Sequence, residues 1–376
     1  METLGAALGS KLLPAETGNN DKGFFEDVDI NRINIEVMHA AGFDWDAMTP
    51  IDLSRIDEHH LDELRLRAAT VLREKCDSKI FALKDPRISR LLPFWQPIFA
   101  SLQSRVVYAI AVRNPISVAR SLAKRNGFAE EKAHTLWLAH TVSALEATVG
   151  LTRTLVSYDL LMNAPRPELE RVSSELGLPL IDSEVESFER TFLDDNLRHT
   201  RFDPQDLHPL QTLPRQAKAL FSALDEAVRN RLPPENVTLG TAIANARTYL
   251  DDIEPLLRYE WQLDRRAHSA QQSARACNEA LQEQIRATES LASTIESLSS
   301  AIRAGEQQQQ TLSETLQSIR TQFEVARQTL AASEIETATL RAKFESLLKS
   351  QAEILTSTSW RVTSPLRAVR RLLTRI

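Results

Sequence analysis

Residues Arg105 to Arg125 read RVVYAIAVRNPISVARSLAKR, and the change of pattern inside this stretch decides the fold. Val106, Val107, Ala109, Ile110, Ala111 and Val112 form a short apolar run rich in β-branched residues, as a strand buried on both faces does. The run ends at Arg113-Asn114-Pro115. Pro115 suits the first position of a helix, where a missing N–H costs nothing. A cation at the strand end and a hydroxyl two turns into the helix, Ser121, can both reach an anion there. The helix start adds unpaired N–H groups and a positive dipole end. The physical reading is a phosphate site at the carboxyl edge of a parallel sheet. An ordinary core strand and helix with a surface arginine is the plainer alternative.

The rest of the first half alternates in the same way. Met1 to Leu13 reads as a helix, with Leu4, Ala7, Leu8 and Leu12 at helical spacing. Ile30, Ile33 and Val37 mark another. Asp52 to Lys75 is a charged amphipathic helix with Leu61, Leu64, Ala68, Val71 and Leu72 on one face. Ile80 to Leu83 reads as a second buried strand, ending in Lys84-Asp85-Pro86-Arg87. Ile88 to Leu102 is a helix interrupted by Pro93 and Pro97. Glu130 to Thr152 is a long helix. Thr154 to Tyr158 is a third strand, and Pro165 to Leu176 a helix stopped by Gly177. Strands alternating with helices imply a parallel sheet with right-handed crossovers. Glu130 and His134 are one turn apart, too few ligands for a metal site.

Several of these motifs resemble a known family, the bacterial sulfotransferases that use 3′-phosphoadenosine 5′-phosphosulfate (PAPS). Arg113-Asn114-Pro115 followed by Ala119-Arg120-Ser121-Leu122 is similar to their 3′-phosphate motif. Lys22-Gly23-Phe24-Phe25-Glu26 resembles their Lys-Gly-Phe-Trp-Glu element. Lys84-Asp85-Pro86-Arg87 matches their Lys-Asp-Pro-Arg, and Tyr158-Asp159 their Tyr-Asp strand end. The segment 192–202, FLDDNLRHTRF, resembles their Leu-Arg-His segment.

The resemblance implies an α/β fold of the P-loop-like sulfotransferase type, a parallel sheet flanked by helices, over residues 1–235. It implies that Arg113 and Ser121 hold the nucleotide 3′-phosphate, with Arg198 closing over it. Lys84 and Arg87 face the sulfuryl end, and Glu26 is the base for the acceptor hydroxyl. PAPS would be the co-substrate, with no metal, and a carbohydrate or lipid-linked glycan the acceptor. For Glu26 the plainer alternative is the start of a helix. In the family a strand and a loop like Gly-x-x-Arg-Ser-Gly-Thr-Ser precede the first helix. This chain begins inside that helix, and no Gly-rich loop elsewhere replaces it. A start further upstream, a fragment and an inactive relative all remain open.

The 376 residues carry a net charge of −6, which argues against a general nucleic-acid binder. Two distant cysteines, Cys76 and Cys277, do not suit a disulfide scaffold, so a reducing cytoplasm is expected. Beyond Gly240 the composition turns to Ala, Glu, Gln, Ser and Arg. Leu291, Leu298, Gly305, Leu312, Ile319, Ala326, Ser333, Leu340, Leu347 and Ile354 recur every seven residues. Ile295, Ile302, Gln309, Leu316, Phe323, Leu330, Thr337 and Phe344 follow four behind. These are the two core series of a coiled coil over 241–356. A homodimer is the simplest assembly, and a helix folding back at Gly305 is the other. The tail 357–376 holds five arginines and no acid among apolar residues. Such an end suits an anionic membrane surface or a partner protein, which would put the chain at the inner face of the membrane. The tail is also similar to those of bacterial polysaccharide glycosyltransferases. The rival to the enzyme is therefore a scaffold that oligomerises and recruits polysaccharide enzymes. A P-loop kinase finds no Gly-Lys-Ser/Thr motif here.

Overall fold

The structure, a computed structural model, describes residues 1–16, 23–76, 80–192, 204–305 and 313–356. Arg198 and the basic tail lie outside these residues. The chain divides into two compact units, one built from Met1–Arg258 and one starting at Tyr259. It is mostly helical, with a small parallel sheet of two strands and two long C-terminal helices packed together.

In the first unit, α1 (Val28–Ala40) buries Ile30, Ile33 and Val37, as their spacing predicts. Asp27 caps it, accepting the N–H groups of Asp29 and Ile30, so Glu26 does not. Helix α2 (Glu58–Lys75) is capped by Asp57 and buries Leu61, Leu64, Ala68 and Leu72. Helix α3 (Ile88–Ser101) runs unbroken through Pro93 and Pro97, with Phe94 and Trp95 fully buried. Strand β1 (Tyr108–Val112) leads into α4 (Pro115–Asn126), and α5 (Glu130–Ala147) into β2 (Arg153–Ser157). The two strands pair in parallel, from Tyr108 opposite Arg153 to Val112 opposite Ser157. Helices α6 (Tyr158–Asn163), α7 (Pro165–Leu176) and α8 (Asp182–Ser187) follow, Gly177 ending α7 in the left-handed region. Helix α9 (Arg215–Arg229) then adds Leu220, Phe221 and Leu224 to the main core.

Three expectations need correction. Met1 to Leu13 is not a helix. A single 3-10 turn at Glu2–Leu4 gives way at Gly5 to extended chain, and Ala7 forms a parallel bridge with Phe81. Gly5 and Gly9 both have positive φ, a conformation that ends a helix and is open to glycine at little cost. The strand expected at Ile80 to Leu83 shrinks to that one bridge. Strand β1 is buried on one face only: Ile110 and Val112 point inward, while Ala109 and Ala111 are exposed. An α/β description with a flanked sheet therefore overstates the strand content among the described residues.

Helix α10 (Val237–Gly305) begins just past Pro233-Pro234. Its first turns carry Leu239, Ile243, Leu250 and Leu257 into the main core, so the first unit continues to Arg258. In the second unit α10 packs against α11 (Ser313–Thr356). Cys277 Sγ donates to the Leu340 carbonyl at 3.3 Å, and the hydroxyls of Thr288 and Ser333 lie 2.7 Å apart. Partners descend in one helix as they rise in the other, so the pair is antiparallel. Along α11, where burial is described, the positions withdrawn from solvent are 319, 323, 326, 330, 333, 337, 340, 344, 347 and 351, alternating three and four apart. These are the two predicted heptad series, and within one chain they face the matching stripe of α10.

Candidate functional site

Two strand-to-helix turns in the first unit share one local plan. After the Phe81 bridge, Lys84-Asp85-Pro86-Arg87 enters α3. After β1, Arg113-Asn114-Pro115 enters α4. In each, the side chain before the proline accepts the N–H of the residue after it: Asp85 Oδ1 from Arg87 at 2.8 Å, Asn114 Oδ1 from Ile116 at 2.9 Å. Proline contributes no N–H of its own, so the short polar side chain caps the turn while basic residues flank it.

The first turn is closed into a buried network. Asp85 Oδ2 accepts from Asn31 Nδ2 at 3.2 Å and from Asn34 Nδ2 at 3.0 Å. Asn34 is itself held by Trp95, whose indole N–H donates to its Oδ1 at 2.8 Å. Arg87 Nη1 reaches Asp85 Oδ1 at 3.1 Å and lies 3.8 Å from Glu26 Oε2. Glu26 is 5 % exposed. Its Oε1 accepts from Lys84 Nζ at 2.9 Å, and its Oε2 from Asn31 Nδ2 at 3.2 Å. Lys84 also donates to the Phe24 carbonyl at 2.8 Å. The backbone just before Glu26 is strained, with Phe25 at φ 55°. A bulky residue rarely occupies that region, and such strain tends to persist where a site needs a side chain aimed. Glu26, Lys84 and Arg87 are thus brought together.

His140 braces this turn from α5: its Nδ1 lies 2.9 Å from Ser89 Oγ and 3.3 Å from the Pro86 carbonyl. Burial, aided by the nearby Arg90, pushes its pKa down to about 3, so it stays a neutral hydrogen-bonding ring. Among the described residues no group of His, Cys, Asp and Glu is arranged to hold a metal ion.

The second turn is built differently. The register that sets Val112 opposite Ser157 carries Arg113 beside Tyr158, and the guanidinium lies 4.4 Å from the centre of that ring. The Arg113 carbonyl accepts from Trp137 Nε1 at 3.0 Å. Its own Nε is buried and, among the described residues, has no hydrogen-bond partner. Arg87 Nε is in the same state. Ser121 is exposed two turns into α4. The first turn therefore carries two cations and two carboxylates bound to each other, while the second carries a cation stacked on an aromatic ring.

Sequence reasoning missed Asn31, Asn34 and Trp95 as parts of this arrangement. Asn31 and Asn34 sit three residues apart on the face of α1 that buries Ile30, and two asparagines on an apolar face were the available signal. No protein-family model, no curated protein and no solved structure matches the chain.

Proposed function

We propose that the chain is a sulfotransferase-like protein, of the P-loop-like sulfotransferase fold, that moves a sulfuryl group from PAPS to a hydroxyl of a carbohydrate-type acceptor. Arg113 and Ser121 grip the nucleotide 3′-phosphate, with Arg198 as a further contact. Lys84 and Arg87 face the sulfuryl end, and Glu26 receives the acceptor's proton. In the step, the acceptor oxygen forms a bond to sulfur, and the bond from sulfur to the 5′-phosphate oxygen breaks. The proton passes to Glu26, and the charge left on the phosphate oxygen faces Lys84 and Arg87. By analogy with phosphoryl transfer, the protein's contribution is in-line positioning and charge neutralisation.

The observation that carries this reading is the buried Nε of Arg113 at the carboxyl end of β1, which has no hydrogen-bond partner among the described residues. Buried N–H groups normally have partners, so this one suits an anion arriving from outside. Isothermal titration of the full chain with adenosine 3′,5′-bisphosphate (PAP) tests it. Binding that disappears in Arg113→Ala supports the nucleotide site.

The second reading is a non-enzymatic scaffold that self-associates and recruits polysaccharide enzymes at the inner face of the membrane. The long antiparallel pair α10 and α11, which carries none of the site residues, favours it. No PAP binding at millimolar nucleotide is the result that selects the scaffold. Among the described residues no helix is long and apolar enough to cross a membrane.

A further inference from the structure

Lys84 and Arg87 are already engaged by the protein's own carboxylates, Glu26 and Asp85. An incoming anion at that turn therefore meets a cluster with no net charge, and a further cation is needed to hold it. Arg125, on the last turn of α4, is that cation. Its guanidinium lies 5.4 Å from the centre of the Trp45 ring. Trp45 stacks on Phe128, ring centres 5.5 Å apart at 24°, and Lys132 Nζ lies 4.8 Å over Phe128. Lys132 is in turn ion-paired with Asp46. This stack holds Arg125 from one side. Among the described residues its only hydrogen bond runs from Nε to the adjacent Asn126 Oδ1, at 2.7 Å.

The surroundings point the same way. Shielding from water lowers the Arg125 pKa, Glu16 and Glu26 raise it, and Arg87 lowers it again. Helix α5 packs against both α3 and α4, so Arg125 and the turn that carries Arg87 stand on elements with a common neighbour, and Glu26 and Arg87 both act on the Arg125 charge. Ser121 and Arg125 are four residues apart, so they stand on one face of α4, about 6 Å apart along its axis. A ligand gripped at Arg113 and Ser121 and extended along α4 meets Arg125 next.

We propose that Arg125 is a positioning residue that binds an oxyanion beside the Glu26–Arg87 cluster. The oxyanion is the sulfuryl group of the donor or an acidic group on the acceptor. The inference deepens the sulfuryl-transfer reading and rests on it for the identity of the donor. The test compares wild type, Arg125→Gln, Arg125→Lys and Arg113→Ala as full chains. Each is titrated calorimetrically with PAPS and PAP, and by tryptophan fluorescence with sodium sulfate against sodium chloride at matched ionic strength. Arg125→Gln is expected to weaken PAPS about tenfold, the effect of one charge-assisted contact, and to leave PAP within about twofold. It also abolishes the sulfate response, and Arg125→Lys restores part of both. Arg113→Ala weakens both nucleotides and keeps the sulfate response. Loss of the sulfate response with PAPS unchanged assigns the oxyanion to the acceptor. Sulfate binding through Arg125 in a wild type that binds neither nucleotide upholds this inference and sinks the donor reading. An equal loss for PAP and PAPS overturns the inference. So does a sulfate response that survives Arg125→Gln, or one that is absent from the wild type.

Discussion

The turns at Asp85-Pro86 and Asn114-Pro115 are made to one pattern, yet they differ in what their charges do. At the first, Lys84 and Arg87 meet Glu26 and Asp85, and asparagines on α1 reach both carboxylates. At the second, the Arg113 guanidinium stacks on the Tyr158 ring, and among the described residues its Nε, like that of Arg87, has no hydrogen-bond partner. The same local cap therefore carries two arrangements: a closed network of paired charges, and a cation stacked on an aromatic ring. The difference comes from residues far away in the chain. Glu26, Asn31 and Asn34 are more than fifty residues from Asp85.

The largest expected effect separates the two turns by stability. Asp85→Ala strands Arg87, Asn31 and Asn34 in a buried site, and removing one partner of such a network costs about 3–5 kcal/mol. Urea unfolding of the variant measures it. A loss below that of the matching change at Asn114 breaks the contrast.

The next effect concerns α5, which packs against both α3 and α4, the helices leaving the two turns. Burial raises the Glu130 pKa to about 7, opposed by Arg120, and lowers the His134 pKa to about 3. From pH 4.5 to 7 the folded chain holds a proton on Glu130 that the unfolded chain lacks, so this contribution falls as pH rises. Below pH 6.5 the unfolded chain holds a proton on His134 that the folded chain lacks, so that contribution falls as pH falls. Between pH 4.5 and 6.5 the two slopes oppose and cancel. Glu130→Gln removes one of them. Relative to wild type, its stability then drops by about 1.4 kcal/mol for each pH unit between 6.5 and 4.5. Parallel stability curves for the two proteins would refute the pairing.

The smallest effect sharpens the comparison at the cap itself. Asn114→Ala removes one side-chain acceptor from the start of α4 and is expected to cost about 1 kcal/mol, as helix caps usually do. Thermal unfolding measures it, and a cost as large as that of Asp85→Ala would mean that the second turn hides a network of its own.

Much of this was legible in the sequence where the determinants are local. The strand–proline–helix pattern located both turns, and Gly177 marked the end of α7. The heptad series found the packed stripe of α11, because each seam position repeats a chemical type at a helical interval. What the sequence concealed was set by distant partners. Ala7 lies extended because the Ile80 carbonyl accepts its N–H and its own carbonyl accepts from Ala82, against a helical spacing of leucines. Ala109 and Ala111 face solvent because only one side of the sheet carries the core. At the site, Lys84 and Arg87 were recognisable as cations, but their neutralisation by Glu26 and Asp85 depends on how α1 packs.

The central claim is that Arg113 is open in order to receive a phosphate. Affinity for adenosine 3′,5′-bisphosphate against adenosine 5′-monophosphate, measured for wild type and Arg113→Ala, tests it most directly, because the two ligands differ only in the 3′-phosphate. The account predicts that wild type favours the bisphosphate at least tenfold, about 1.4 kcal/mol, and that Arg113→Ala binds both alike. Equal affinity in the wild type, or a preference that survives the substitution, would contradict it.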